Sequence, residues 1–170
     1  RKNNDSQTAM VRNTNPGDIY TAYVQKYGGP EALFPVIDTE IGRLACLTCF
    51  DTTIGEVARC LALRGAEVLI HLTAEATGGP ARQAWNFSKS VHAWENACYF
   101  LSTNNGDAFQ SHRPKHRQGG HSKIIDFKGR VLAEAEVAGE SIITATIDIE
   151  ELREYRASGA SPMLTMRYDT

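Results

Sequence analysis

The stretch from Arg43 to Leu72 allows few arrangements. Arg43-Leu44-Ala45-Cys46-Leu47-Thr48 is a short apolar run that reads as a strand buried on both faces. Ile54, Val57, Ala58, Leu61 and Ala62 then recur at the i, i+3, i+4, i+7, i+8 spacing of an amphipathic helix. Gly65 ends that helix, and Glu67-Val68-Leu69-Ile70-His71-Leu72 is a second buried strand. A helical crossover between two strands implies a parallel pair. The theme repeats, with Pro80 opening a helix that runs to about Asn96 and Cys98–Thr103 forming the next strand. Phe34-Pro35-Val36-Ile37 precedes the first strand as its hairpin partner, through the turn Asp38–Gly42. Three strands downstream, His121–Asp126, Arg130–Ala135 and Glu140–Ile147, read as an antiparallel meander turning at Lys128-Gly129 and Ala138-Gly139. Asp148–Arg156 closes as a short acid-led helix. The class is therefore α/β with a mixed sheet.

The 170 residues suit one domain, 1–170, with an extended C-terminal tail at 157–170. Residues 3–34 are polar and punctuated by Gly and Pro, with a short helix expected at Ile19–Tyr27 under an Asp18 cap. A net charge of −2 gives no general drive toward nucleic acid or an anionic membrane. The basic loop residues His112, Arg113, Lys115, His116 and Arg117 carry no interleaved aromatics, which also argues against nucleic acid. No apolar run approaches the ~20 residues of a membrane span. Nor does the polar start at Arg1 resemble a signal peptide, so the expectation is a soluble cytoplasmic protein. Trp85, Phe87, Val91 and Trp94 are expected in the core or at an interface.

The four cysteines, Cys46, Cys49, Cys60 and Cys98, lie in apolar or helical contexts, which suits a reducing compartment and thiols packed mostly as small hydrophobes. Leu47-Thr48-Cys49-Phe50-Asp51 is different, because a strand ends there and a helix starts a few residues on. Such a junction lifts a side chain to the carboxyl edge of the sheet and leaves backbone N–H groups free to stabilise negative charge. Cys49 thus has the placement of an activated nucleophile, while position alone equally allows a buried core cysteine. Cys46 and Cys49 form a Cys-x-x-Cys pair, the spacing of a redox module or half a zinc site. Strand alternation turns residues three apart to opposite faces, and no second ligand pair follows, so neither metal nor disulfide is expected.

At this point the residues resemble a family. Ile41-Gly42-Arg43-Leu44-Ala45-Cys46-Leu47-Thr48-Cys49-Phe50-Asp51, continuing through Arg59, is similar to the nucleophile segment of the carbon–nitrogen hydrolase (nitrilase/amidase) superfamily. Arg64-Gly65-Ala66-Glu67-Val68-Leu69, then Glu95-Asn96 with Tyr99, Asn104 and Gly106, then Gly119-Gly120-His121-Ser122-Lys123-Ile124-Ile125-Asp126 with Gly129, resemble further family stretches in order. The resemblance implies a four-layer α-β-β-α sandwich of the nitrilase type with mixed sheets, to which this chain supplies the C-terminal part from the catalytic-lysine segment onward. It further implies a homodimer or higher homo-oligomer. The implied activity is cysteine-dependent hydrolysis of a small-molecule amide, carbamoyl or nitrile substrate, with no metal or organic cofactor.

The family's catalytic set is a cysteine, a lysine and a glutamate. Cys49 matches the cysteine, Lys2 of the Arg1-Lys2 dipeptide matches the lysine, and the Phe50 N–H matches the backbone oxyanion donor. The general-base glutamate belongs to the family's N-terminal half, ahead of Arg1, so the domain is expected to be N-terminally incomplete. Asp5 and Asp18 are the nearest substitutes for a second glutamate that many members carry after the lysine, and Ile54-Gly55 stands where Phe-Pro is usual. Asp51 is expected to anchor the turn through hydrogen bonds. Glu75 could face the pocket, with a solvated loop acid as the plainer role. Two other readings stay open: an inactive nitrilase-like subunit or scaffold lacking the base, and a Cys46/Cys49 redox module.

Overall fold

Six strands hydrogen-bond into one mixed sheet in the order of the chain, β1 (Ile37–Thr39), β2 (Gly42–Thr48), β3 (Val68–Thr73), β4 (Tyr99–Asn104), β5 (Lys123–Ile125) and β6 (Val131–Glu134). The computed structural model describes residues 16–75, 80–106, 119–135 and 140–161. The chain divides into two units, Arg1–Pro35 and Val36–Thr170. In the first, helix α1 spans Pro16–Tyr27, a 3-10 helix spans Pro30–Leu33, and the Tyr23 hydroxyl donates to the Ala32 carbonyl at 3.2 Å. Because α1 starts at Pro16, Asp18 lies inside its first turn and is not the cap.

The second unit is built on the parallel run β2-β3-β4, flanked by antiparallel β1 on one side and β5-β6 on the other. Helices α2 (Gly55–Leu63) and α3 (Pro80–Asn96) are the two crossovers. Gly65 ends α2 as the sequence requires. It sits at φ +97°, and the Gly65 N–H and Ala66 N–H donate back to the Ala62 and Leu61 carbonyls, the paired bonds of a Schellman cap.

Strand alternation sorts the sheet into two unequal faces. Ala45 and Leu47, Leu69 and His71, and Phe100 and Ser102 are buried on the helix side, with Ala58, Leu61, Ala62 and Ala93 buried from α2 and α3. On the other face a second cluster of Val68, Ala97, Tyr99, Phe127 and Leu152 packs with Leu44, Ile70, Leu101, Ile147 and Ile149. It covers only the starts of the strands. Cys46 and Thr48 of β2, Leu72 of β3 and Thr103 of β4 are exposed at the other end of that face. The expectation that β2 is buried on both faces is thus corrected, since among the described residues nothing covers its final turns on this side.

Other expectations are also corrected. Residues 140–148 are not in a strand, so among the described residues the meander has two strands, and Ile147 serves the second cluster instead. On α3, Phe87 is 73% and Trp94 51% exposed while Lys89, His92, Ala93 and Asn96 face inward, so of the two places expected for these aromatics, core or interface, these two are not in the core. Of the cysteines only Cys98 is buried, and Cys46 and Cys49 are exposed. The basic loop 112–117, the turn at 138–139 and the tail from 162 lie outside the described residues.

Helix α4 (Ile149–Ala157) starts on an Asp148 cap whose carboxylate accepts from the Glu151 N–H at 2.9 Å. Its arginines tie it to the loops that start the strands. Arg153 Nε donates to Glu67 at 2.7 Å, Arg156 donates to the Ala66 and Ala97 carbonyls, and Glu67 also accepts the Arg43 N–H at 2.8 Å. Burial alone raises the Glu67 carboxyl, but Arg153 and the Arg43 N–H outweigh it and hold it below the ordinary glutamate value. A depressed carboxyl stabilises the fold at pH above its unfolded value and loses that contribution as pH falls through its folded value. Glu67→Gln is therefore expected to destabilise the protein by about 1–3 kcal/mol at pH 7 in urea unfolding, with the gap to wild type closing below pH ~4.

Candidate active site at the end of strand β2

β2 ends at Thr48, and the chain enters a short 3-10 helix, Cys49–Thr53. Cys49 makes the change of direction in the left-handed region, at φ 43°. A non-glycine residue held there costs on the order of 1 kcal/mol, so the surroundings must fix it. Asp51 does part of this, accepting the Thr48 N–H on Oδ2 at 2.8 Å, which is the anchoring role expected for it. Thr52 donates its hydroxyl to the Cys49 carbonyl at 3.0 Å, and Thr53 donates its hydroxyl to the Phe50 carbonyl at 2.7 Å. The turn closes on itself.

The turn is also gripped from beneath. His71, buried on β3, places Nε2 3.1 Å from the Cys49 carbonyl and Nδ1 3.1 Å from Ser102 Oγ on β4. A carbonyl only accepts, so Nε2 carries the proton, and the Ser102 hydroxyl donates to Nδ1. Burial is the main influence on this imidazole and lowers its pKa, which favours the neutral ring that this pattern needs. A second histidine, His92 of α3, donates from Nε2 to the Thr52 carbonyl at 2.9 Å while its Nδ1 lies 2.9 Å from Glu95. One end of the turn is thus tied to the sheet and the other to α3.

Glu75 is a correction to the solvated-acid reading. It is buried, and Lys89, only 1% exposed, donates to its Oε2 at 2.8 Å. Both act electrostatically on His71, as does Asp51. Asn104 fixes the Glu75 backbone, accepting its N–H at 2.8 Å, and also donates to the Gly120 carbonyl at 2.9 Å.

The sequence-predicted residues therefore divide in three ways. Cys49, Phe50 and Asp51 share one turn at the carboxyl edge, with Phe50 67% exposed, and Glu75 is held in a buried ion pair. Lys2 and Asp5 lie outside the described residues. His71, His92 and Lys89 carry no site role in the sequence reading, and Asn104 enters it only as part of a family stretch. Their signal is present all the same, as a histidine inside an apolar strand and polar residues at 89, 92 and 96 along one helix face. Among the described residues no group of three or more His, Cys, Asp and Glu is placed to hold a metal ion.

An exposed cysteine in a constrained turn at the carboxyl edge of the parallel run defines the class: α/β proteins with an exposed cysteine at a strand-to-helix junction. The carbon-nitrogen hydrolase family model matches residues 5–157, and the chain belongs to that family. It is 31% identical over 123 residues to a protein of Schizosaccharomyces pombe named as a probable nitrilase, covering 72% of this chain and 43% of that one. It is 30% identical over 141 residues to the citrullinase of Francisella tularensis, covering 79% and 49%. The solved structure of a carbon-nitrogen hydrolase from Helicobacter pylori superposes with a TM-score of 0.64 at 28% identity, covering 76% of this chain and 48% of that one. The chain spans a little under half the length of these curated relatives.

The Lys89–Glu75 pair yields a stability prediction. Lys89→Met strands a buried carboxylate and is expected to cost about 3–5 kcal/mol, whereas Lys89→Met with Glu75→Leu recovers most of the loss, both read from urea unfolding at neutral pH.

Proposed function

We propose that this chain carries the nucleophile half of a hydrolase that cleaves non-peptide carbon–nitrogen bonds through a Cys49 thioester. The observation that carries the reading is the Cys49 turn itself, an exposed thiol held in a left-handed conformation by donors from two neighbouring elements. Such a site gives the sulfur one fixed approach to a substrate carbon, the condition for efficient nucleophilic catalysis.

In the proposed reaction a carboxylate supplied by the family's N-terminal half takes the thiol proton, and the sulfur forms a bond to the substrate carbonyl carbon. The carbonyl π electrons move to oxygen, where the Lys2 ammonium and the Phe50 N–H hold the developing charge. The C–N bond breaks, the nitrogen leaves with the proton, and water hydrolyses the thioester to regenerate Cys49. The substrate class is a small amide or carbamoyl compound before a nitrile, a choice supported by relatives named as amidases and a citrullinase.

We also propose the four-layer α-β-β-α sandwich and a homo-oligomer acting in the cytoplasm. The exposed end of the second sheet face, with Cys46 and Leu72, supports a covering layer there. No helix among the described residues is long and apolar enough to cross a membrane.

Labelling tests the nucleophile. Burial pushes the Cys98 thiol up to about 11, and an activated Cys49 is set apart by reacting faster than an ordinary exposed thiol at the same pH. With limiting iodoacetamide at neutral pH, peptide mass spectrometry is expected to find Cys49 modified at least about tenfold faster than Cys46, Cys60 or Cys98. Equal, slow modification of Cys46 and Cys49 would favour the inactive-scaffold reading.

A further inference from the structure

Cys49 C=O and Phe50 N–H belong to one peptide unit, and the described residues contain no cis peptide bond. In a trans peptide these two groups point in opposite directions. Whatever grips the carbonyl from one side therefore aims the N–H toward the other. The carbonyl takes two hydrogen bonds, from Thr52 Oγ1 at 3.0 Å and from His71 Nε2 at 3.1 Å. The Thr52 hydroxyl belongs to the turn and moves with it. His71 belongs to the sheet. It stands opposite Leu47 in the β2–β3 ladder and opposite Ser102 in the β3–β4 ladder, and Ser102 holds its other nitrogen at 3.1 Å.

We propose that His71 is a positioning residue that aims the oxyanion-binding Phe50 N–H by holding the Cys49 carbonyl from beneath. The inference rests on Cys49 being the nucleophile and adds a residue to that reading. The relay runs from the Ser102 hydroxyl to His71 Nδ1 and from Nε2–H to the carbonyl. Each bond polarises the next, so the Phe50 N–H becomes a stronger donor as well as a fixed one. His71 touches no reacting atom. Its effect falls on the step that develops charge on the substrate oxygen, because an aligned donor stabilises that charge more than the uncharged carbonyl.

The test compares His71→Leu, which removes the donor, with His71→Gln, whose amide nitrogen reaches a similar place and still donates. In protein that also carries the base-bearing N-terminal half and turns over a small primary amide, His71→Leu is expected to lose at least about tenfold in kcat with KM changed by less than about threefold. His71→Gln is expected to stay within about threefold of wild type. Alkylation by iodoacetamide forms no oxyanion, so Cys49 in His71→Leu should react within about twofold of the wild-type rate. If His71→Leu folds poorly, the wild-type protein still decides, since long-range proton–nitrogen spectra at neutral pH must show His71 protonated on Nε2 and bare on Nδ1. Unchanged kcat in His71→Leu, no rescue by His71→Gln, or a proton on Nδ1 overturns the inference. Absence of preferential Cys49 labelling in the wild-type protein instead removes the nucleophile reading beneath it.

Discussion

The arrangement depends on one backbone constraint, a non-glycine residue at the end of a parallel strand forced into the left-handed region. Left to itself, Cys49 would relax toward an ordinary conformation and the sulfur would lose its fixed direction. The turn's own hydroxyls cannot prevent this, because they travel with it. Resistance comes from outside, through His71 on β3 and His92 on α3, each donating to a carbonyl of the turn. The surrounding sheet explains why those anchors can be rigid. β3 lies between two parallel neighbours, and α3 packs its inward face onto Phe100, with the His92 ring 6.4 Å from the Phe100 ring.

The polar residues beneath the turn make sense in the same terms. A buried lysine, carboxylate, serine, two histidines and an asparagine are costly to place between a sheet and its helices unless they are paired. Lys89 pairs with Glu75, Ser102 with His71, and His92 with Glu95 and the Thr52 carbonyl. An apolar core here would be simpler and no less stable. It could not hold carbonyl groups in a strained turn, since that takes fixed donors. The polar layer is thus a support, and its cost is offset by the deeper apolar clusters on both faces of the sheet.

Much of the fold was legible because it follows local rules. The helical spacing from Ile54 to Ala62, Gly65 as a stop, Pro80 as a start and a short acid-led closing helix all appear where the pattern puts them, with α3 at the expected Pro80–Asn96. The failures share a cause. Periodicity identifies a face without saying which side is inward, so it does not tell that Lys89, His92 and Asn96 hold the inward face of α3 while Phe87 and Trp94 stay exposed. Burial of both β2 faces and a third meander strand at Glu140–Ile147 each needed a neighbour that no local rule supplies. The placement of Cys49 and the anchoring bond of Asp51 were readable from the strand-to-helix junction, whereas the role given to Phe50 came with the family resemblance. Their histidine supports were not, because His71 and Cys49 are 22 positions apart in sequence and His92 and Thr52 are 40 apart.

The most direct test of the account is to catch the acyl group on the enzyme. The protein is mixed with an activated acyl donor, p-nitrophenyl acetate, quenched in acid within the first turnover, digested and weighed peptide by peptide. The account predicts an acetyl group on the Cys49 peptide, lost on treatment with neutral hydroxylamine as a thioester is and absent in Cys49→Ala. Acetylation confined to Cys46 or to lysines, with Cys49 itself unmodified when the shared Cys46/Cys49 peptide is fragmented, would contradict it.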